Sequence, residues 1–267
     1  MEIDKDIYFS LIIITLSSFY LFTFTTFFLA YAQNANNSTN IDAFFEKADA
    51  LFNQKKYDEA IQYYDKILEI NAASQIDALN SKGLALWELH KYNEALPYFD
   101  RILAINSSNV KALNNKGLVL SGLEKYDEAL QYFDKLLSKN SSNIYALINK
   151  GGALLGLEEN EDAIQYFDRA LAINASDVFA INNKAEALAE MEKNDEALSV
   201  IEKAAKHNPN DEYLQSTMAF ILANMGKDDE ARIYYEKALK INPNLTEILY
   251  EDELDEFNRV MDNKTND

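Results

Sequence analysis

The stretch that decides the fold is VKALNNKGLVLSGLEKYDEALQYFDKLLSKNSSN, residues 110–143. It contains Gly117, then Ala129 twelve residues later, then Phe133 four residues after that. This spacing of two small residues and a large apolar one occurs six times, at Ala48/Ala60/Tyr64, Gly83/Ala95/Phe99, Gly117/Ala129/Phe133, Gly151/Ala163/Phe167, Ala185/Ala197/Ile201 and Ala219/Ala231/Tyr235. Successive copies are 35 residues apart once and 34 residues apart thereafter. Small residues let two helices cross closely, so the spacing predicts a stack of helix pairs.

A 34-residue period with these residues resembles the tetratricopeptide repeat family, over about Ile41 to Leu245. The resemblance implies an all-α fold: a right-handed α-solenoid of six helix-turn-helix units with a C-terminal capping helix, preceded by an N-terminal apolar segment. We expect the repeats at 41–74, 76–109, 110–143, 144–177, 178–211 and 212–245, with Gln75 as a one-residue insertion.

Each repeat divides into helix A, about its first 14 positions, and helix B. An Asn at the thirty-first position of every repeat suits a turn in the left-handed backbone region. After the last repeat, Thr246 is the predicted N-cap of a capping helix over 246–262, where Leu254, Phe257 and Met261 share one face. Residues 263–267 form a tail.

The composition is typical of a helical chain, with only 7 Gly and 3 Pro in 267 residues. The formal net charge of −19 argues against nucleic acid as a partner, because phosphates require Lys and Arg surfaces. The chain has no Cys, which excludes disulfides and thiolate metal sites.

Residues 1–32 differ from the rest, because no charged residue occurs from Ile7 to Ala32. This apolar run is long enough to span a bilayer and also ends in a small-x-small site at Ala30-Tyr31-Ala32. We therefore expect either a cleaved signal peptide or a retained membrane anchor. The polar residues 33–40 form a linker to the repeats.

Sequons of the form Asn-x-Ser/Thr are more frequent than the composition predicts. Five are candidate glycosylation sites, at Asn37, Asn106, Asn140, Asn174 and Asn244. Their number favours repeats that lie outside the cytoplasm, in a membrane-anchored or secreted protein. The alternative is that these Asn residues only form turns.

The sequence offers few candidate catalytic residues. The two histidines, His90 and His207, have no metal-ligand spacing, and there is neither a Cys nucleophile nor a Gly-rich phosphate loop. We expect no enzyme activity, no metal, no cofactor and no small-molecule substrate.

The most distinctive polar pattern lies in helix A, with NSKG at 80–83, NNKG at 114–117, INKG at 148–151 and NNKA at 182–185. The resemblance implies that helix A lines a concave groove. A column of amides would then run along that groove, from Asn80, Asn114, Asn115, Asn149, Asn182 and Asn183. Amides both donate and accept, so such a column can hold the backbone of an extended peptide. The alternative is that Asn is simply common at these positions.

Beside the amides, the seventh position of the repeat carries Lys82, Lys116, Lys150 and Lys184. These residues form either a cationic stripe for acidic partners or a set of stems that lie over the helix interface, paired with neighbouring acids. The second interpretation is favoured, since surface Lys residues need no special role.

The sequence thus predicts a protein–protein interaction scaffold or peptide-binding adaptor that reaches a membrane through its N-terminal segment. The alternative is an assembly factor or co-chaperone that is anchored in a membrane and faces the cytoplasm.

Overall fold

The computed structural model describes residues 40–70, 75–247 and 251–262. These residues form thirteen α-helices, one short 3-10 helix at Leu245–Glu247 and no strand, which confirms the predicted all-α fold. The α-helices are α1 (40–53), α2 (Tyr57–Ile70), α3 (Gln75–Glu88), α4 (Tyr92–Ile105), α5 (Val110–Gly122), α6 (Tyr126–Lys139), α7 (Ile144–Leu155), α8 (Asn160–Ile173), α9 (Val178–Glu190), α10 (Asn194–His207), α11 (Glu212–Asn224), α12 (Asp228–Ile241) and α13 (Glu251–Asp262).

The chain divides into two compact units, one ending at Tyr98 and the other beginning at Phe99. In the second unit, each helix from α5 to α12 packs against the next one in the chain. The A helices α5, α7, α9 and α11 also contact one another in that order. This packing of consecutive helix pairs is the arrangement expected of a tetratricopeptide solenoid.

The small residues of the repeat lie where a ring of helix B covers helix A. Phe133 and Phe167 are fully buried, and their rings lie against Gly117 and Gly151. A Cβ atom added to Gly117 would stand 2.5 Å from Cε1 of Phe133, which is closer than van der Waals contact allows. The helix pairs α5–α6 and α7–α8 therefore need a glycine at this position.

In three repeats of the second unit, the turn between helices A and B places a Glu residue in the left-handed backbone region. Positive φ angles of 59°, 61° and 59° occur at Glu124, Glu158 and Glu192. After α5, the amide of Lys125 donates to Leu120 and that of Glu124 to Ser121, which terminates the helix as in a Schellman motif.

The left-handed backbone expected at the thirty-first position is wrong for the Asn residues that follow α6 and α8. Asn140 (φ −143°, ψ 96°) and Asn174 (φ −132°, ψ 93°) are extended. Their side chains instead accept hydrogen bonds from the amides of Ser142 and Ser176, at 3.0 and 3.2 Å. The next A helix then begins with an N-cap, as where Asn143 accepts from the amide of Ala146.

Thr246, the predicted N-cap, lies in the 3-10 helix, and the capping helix α13 is described from Glu251. This helix packs against both α11 and α12. Phe257 lies edge-on to Tyr235, with 5.0 Å between ring centroids, and Arg259 pairs with Asp228 at 2.8 Å. The end of the stack is thereby covered by an amphipathic helix.

We expect Gly151→Ala to lower the free energy of unfolding by about 1–3 kcal/mol, because the added methyl group would overlap the buried ring of Phe167. Gly152 is the matched control, since a Cβ atom there meets nothing within 4 Å. Gly152→Ala should leave stability unchanged or raise it by up to about 1 kcal/mol through helix propensity. Denaturant unfolding followed by circular dichroism measures both. Equal effects of the two substitutions would contradict the proposed contact.

Candidate functional site

The predicted groove residues lie on A helices of both units. Asn80 and Lys82 are on α3 in the first unit. The others are on three consecutive A helices of the second unit: Asn114, Asn115 and Lys116 on α5, Asn149 and Lys150 on α7, and Asn182, Asn183 and Lys184 on α9. All of these side chains are half-buried.

Two of the amides satisfy each other instead of facing outward unpaired. The Nδ2 atom of Asn149 donates to Oδ1 of Asn114 at 2.9 Å, which links α7 to α5. The Nδ2 atom of Asn114 in turn donates to Oδ1 of Asn115 at 3.4 Å. The sixth position of one repeat thus bonds to the fifth position of the repeat before it. This contact also fixes the register between the two helices.

The pairing ends at α9, because Ile148 occupies the fifth position of the fourth repeat and offers no amide. Within the described residues, the side chain of Asn183 makes no hydrogen bond. Oδ1 of Asn182 is buried there without a hydrogen-bond partner. Since a buried acceptor without a partner is costly, α9 carries the unsatisfied part of the amide column.

Each of the four predicted Lys residues pairs with an Asp on the helix B that precedes it. Lys82 pairs with Asp65 in the first unit. In the second unit, the distances from Nζ to the carboxylate are 2.5 Å each for the pairs Lys116–Asp100, Lys150–Asp134 and Lys184–Asp168. The Lys side chains are only 12–20% exposed. These ion pairs tie each repeat to the one before it.

Three of the four Lys residues also lie over a tyrosine ring of their own repeat. Nζ is 4.8, 4.7 and 4.5 Å from the ring centroids of Tyr98, Tyr132 and Tyr166. Lys184 lacks this contact because Val200 replaces the tyrosine in the fifth repeat. Both the charge and the stem of these Lys residues are therefore engaged within the fold.

The protonation of Lys150 reflects this environment. Burial by itself lowers the pKa of the ammonium group, but the hydrogen bonds and charges of Asp134 and Tyr166 together outweigh burial. The net result is a pKa above the ordinary value, and the same balance holds for Lys82 and Lys116. The three Lys residues remain cations at neutral pH.

The sequons at Asn106, Asn140 and Asn174 lie at the turns between repeats, and all three side chains are exposed. Each side-chain oxygen accepts a hydrogen bond from the amide two residues later, at 3.0–3.2 Å. Asn244 is exposed as well, whereas Asn37 lies outside the described residues. The predicted signal or anchor, residues 1–32, also lies outside them.

A feature that the sequence analysis missed is a row of exposed aromatic side chains on the A helices of the second unit. Tyr145, Phe179 and Tyr213 are 76%, 66% and 48% exposed. Each is the second residue of its helix, on α7, α9 and α11. We call these three side chains the aromatic row. The available signal was an aromatic residue two positions after the N-cap in three successive repeats.

The histidines show no arrangement for catalysis. The Nδ1 atom of His90 is 2.8 Å from the hydroxyl of Tyr92, and that of His207 is 2.7 Å from the carbonyl of Lys203. Among the described residues, no group of three or more His, Asp or Glu side chains could hold a metal ion. No helix in that part of the chain is long and apolar enough to cross a membrane.

Three family models match the repeats. The model of the N-terminal tetratricopeptide repeat region of Psidin matches residues 144–252. Two general tetratricopeptide repeat models match residues 41–108 and 80–144. No curated protein matches the chain.

Solved structures with a similar fold share little sequence with this chain. A tetratricopeptide repeat protein from Parabacteroides merdae has 19% identity and a TM-score of 0.61, covering 84% of this chain and 93% of that one. PilF of Pseudomonas aeruginosa has 19% identity and a TM-score of 0.62, covering 84% and 99%. A thermophilic tetratricopeptide repeat protein of Thermus thermophilus has 21% identity and a TM-score of 0.61, covering 70% and 97%. These similarities concern the fold alone.

Tetratricopeptide repeat domains bind proteins or peptides and are generally non-catalytic scaffolds. The repeat spacing, the packing of the helix pairs and the matched models all lead to the same family, and the chain is a tetratricopeptide repeat protein.

Proposed function

We propose that the chain is a non-catalytic scaffold or adaptor that holds an extended segment of a partner protein along its A helices, outside the cytoplasm. The observation that carries this proposal is the direct packing of α5, α7, α9 and α11 side by side. Equivalent positions of four repeats thereby form one continuous surface. A surface of this kind suits an extended chain better than a compact substrate.

The amides of the A helices support binding through the partner's backbone. Because Asn114 and Asn149 bond to each other, the groups with unused hydrogen-bonding capacity are those of α9. Asn183 can both donate to and accept from a peptide backbone. In this proposal the amide column consists of a paired part on α5 and α7, which sets the spacing of the helices, and an unpaired part on α9.

The extracytoplasmic location is proposed from the apolar segment at 7–32 and from the sequons. The exposure of Asn106, Asn140 and Asn174 supports their modification, since glycan attachment requires an accessible side chain. The alternative is a membrane-anchored assembly factor or co-chaperone with its repeats in the cytoplasm. Glycan on any of the three Asn residues would exclude this alternative.

Purification of the intact protein from its native membrane, with partners identified by mass spectrometry, is the experiment that tests the scaffold function. The expected result is one or a few proteins that bind the purified chain directly. If no protein binds, the scaffold proposal fails.

The location has its own test. Protease added to intact cells should degrade an anchored form of the protein, or a mature chain that begins near Gln33 should be found in the medium. Repeats that become sensitive to protease only after cell lysis would contradict the proposed location.

Two equivalent Asn residues test the division of the amide column. Asn183→Ala should weaken binding of the purified partner by about 0.5–1.5 kcal/mol, or about two- to tenfold, because one hydrogen bond is lost. Its unfolding should be unchanged. Asn149→Ala should instead lower the free energy of unfolding by about 0.5–1.5 kcal/mol, since it removes the bond to Asn114. Calorimetric titration and denaturant unfolding measure the two effects. Binding that is insensitive to Asn183→Ala would remove this residue from the site.

The Lys residues are expected to act in stability. Lys150→Ala should lower the free energy of unfolding by about 1–2 kcal/mol, through loss of the ion pair and of the contact with Tyr166. Lys184→Ala is the matched control. It should lower the free energy of unfolding by about 0.5–1 kcal/mol less than Lys150→Ala, because Val200 replaces the tyrosine ring in its repeat.

The effect of Lys150→Ala should also depend on pH. Because the folded pKa of Lys150 is raised, its contribution is complete below the ordinary Lys value of about 10.4 and is lost as pH rises through the folded value. Unfolding of both proteins between pH 7 and pH 11 measures this difference. A difference that stays constant up to pH 11 would contradict the role of the ion pair.

A further inference from the structure

We infer that the aromatic row is the docking surface for an extended partner segment that carries Lys or Arg side chains among apolar ones. This inference rests on the proposed scaffold function and names the chemistry of the partner.

The aromatic row is a continuous feature, not three separate residues. Tyr145, Phe179 and Tyr213 occupy the same helical position, and α7 contacts α9 as α9 contacts α11. Packed helices lie about 8–10 Å apart, so neighbouring rings have about that separation. An extended chain rises about 3.3 Å per residue, so about three residues of a bound peptide span the distance between successive rings.

Packing within the fold does not explain this exposure. Each ring directly precedes a residue or two that the core buries, such as Ala146 and Leu147 after Tyr145. The corresponding position of α5 carries Lys111, which is exposed, so the fold does not require an aromatic residue there. Single exposed apolar residues are ordinary on protein surfaces, but contiguous ones mark interaction sites. Tyrosine is also among the residues that dominate binding energy at interfaces.

The charges around the aromatic row select the partner. The N-caps of α9 and α11 are Asp177 and Asp211, two residues before the rings of Phe179 and Tyr213. Glu212 adds a third carboxylate beside Tyr213. By contrast, Lys150 on α7 and Lys184 on α9 are already paired with acids.

Both the carboxylates and the rings attract cations. The chain as a whole has a formal charge of −19, which attracts a cationic segment over longer distances. Exposed aromatic faces add a direct attraction for Lys and Arg. A second copy of this chain would bring a similarly acidic surface to the same place, so a basic segment of a different protein fits better.

The test begins with peptides displayed on phage and selected against the purified full-length chain. The selected peptides are then synthesised and titrated against four proteins: the original chain, Tyr145→Ser/Phe179→Ser, Ile233→Ser and Asn183→Ala. Ile233 is the control for exposed apolar area, because it is 54% exposed on α12 and lies outside the aromatic row.

The expected peptides are positively charged and contain apolar residues. Their dissociation constants should rise tenfold or more with Tyr145→Ser/Phe179→Ser and remain unchanged with Ile233→Ser. Circular dichroism should show the same melting for the original chain, Tyr145→Ser/Phe179→Ser and Ile233→Ser, because these substituted side chains are exposed.

Three results would overturn the inference: selected peptides without net positive charge, binding that the double substitution leaves intact, or no enriched peptide. Self-association of the chain that the double substitution abolishes would identify a second copy as the occupant and would equally overturn it. Peptides that respond to Asn183→Ala but not to the double substitution would leave the proposed scaffold function standing without the aromatic row.

Discussion

The structure depends on one contact, in which a large apolar side chain of helix B lies on a Gly or Ala residue of helix A. Phe133 covers Gly117 in this way, and Phe167 covers Gly151. The contact fixes how closely the two helices of a repeat approach, and that distance fixes where the next A helix can pack. In an array where each repeat touches mainly its neighbours, the same short contact must recur in every repeat. The side-by-side arrangement of α5, α7, α9 and α11 is its consequence.

A second set of contacts joins one repeat to the next. Lys150 on α7 reaches back to Asp134 on α6 and lies over Tyr166 on α8, so a single side chain links three successive helices. The bond between Asn149 and Asn114 makes a similar link between A helices. Because the ion pairs are partly exposed, each contributes little by itself. Together they matter because the same Lys–Asp pair recurs at successive interfaces and sets the register between repeats at each one.

The sequence predicted the fold because the residues that pack each helix pair recur with the same period as the helix pairs themselves. The recurrence every 34 residues of a small residue, as at Gly117, and a large apolar one, as at Phe133, is sufficient to place the helix pairs. It could not predict the partner of Asn149, since that bond joins the sixth position of one repeat to the fifth position of another. Nor could it predict that Glu124, and not Asn140, adopts the left-handed backbone, because side-chain bonds to Ser142 compete with that conformation. The aromatic row is not visible in the repeat period because its position differs among the repeats, with Lys111 on α5 and Tyr145 on α7.

Positions that recur in every repeat are those that packing constrains, and a side chain buried against Phe133 or bonded to Asp134 cannot also meet a partner. Positions that vary between repeats are released from packing, as where Lys111 on α5 gives way to Tyr145 on α7. Specificity must therefore come from the varying positions, while the recurring ones hold them at a fixed spacing. The amides of α9 share features of both kinds of position. They recur at the same place in the repeat, but α7 does not offer them the hydrogen-bond partner that α5 offers to Asn149. A change of one residue in the neighbouring repeat, from an amide to Ile148, removes a packing contact and leaves on α9 the hydrogen-bonding capacity that the proposed function assigns to a peptide backbone.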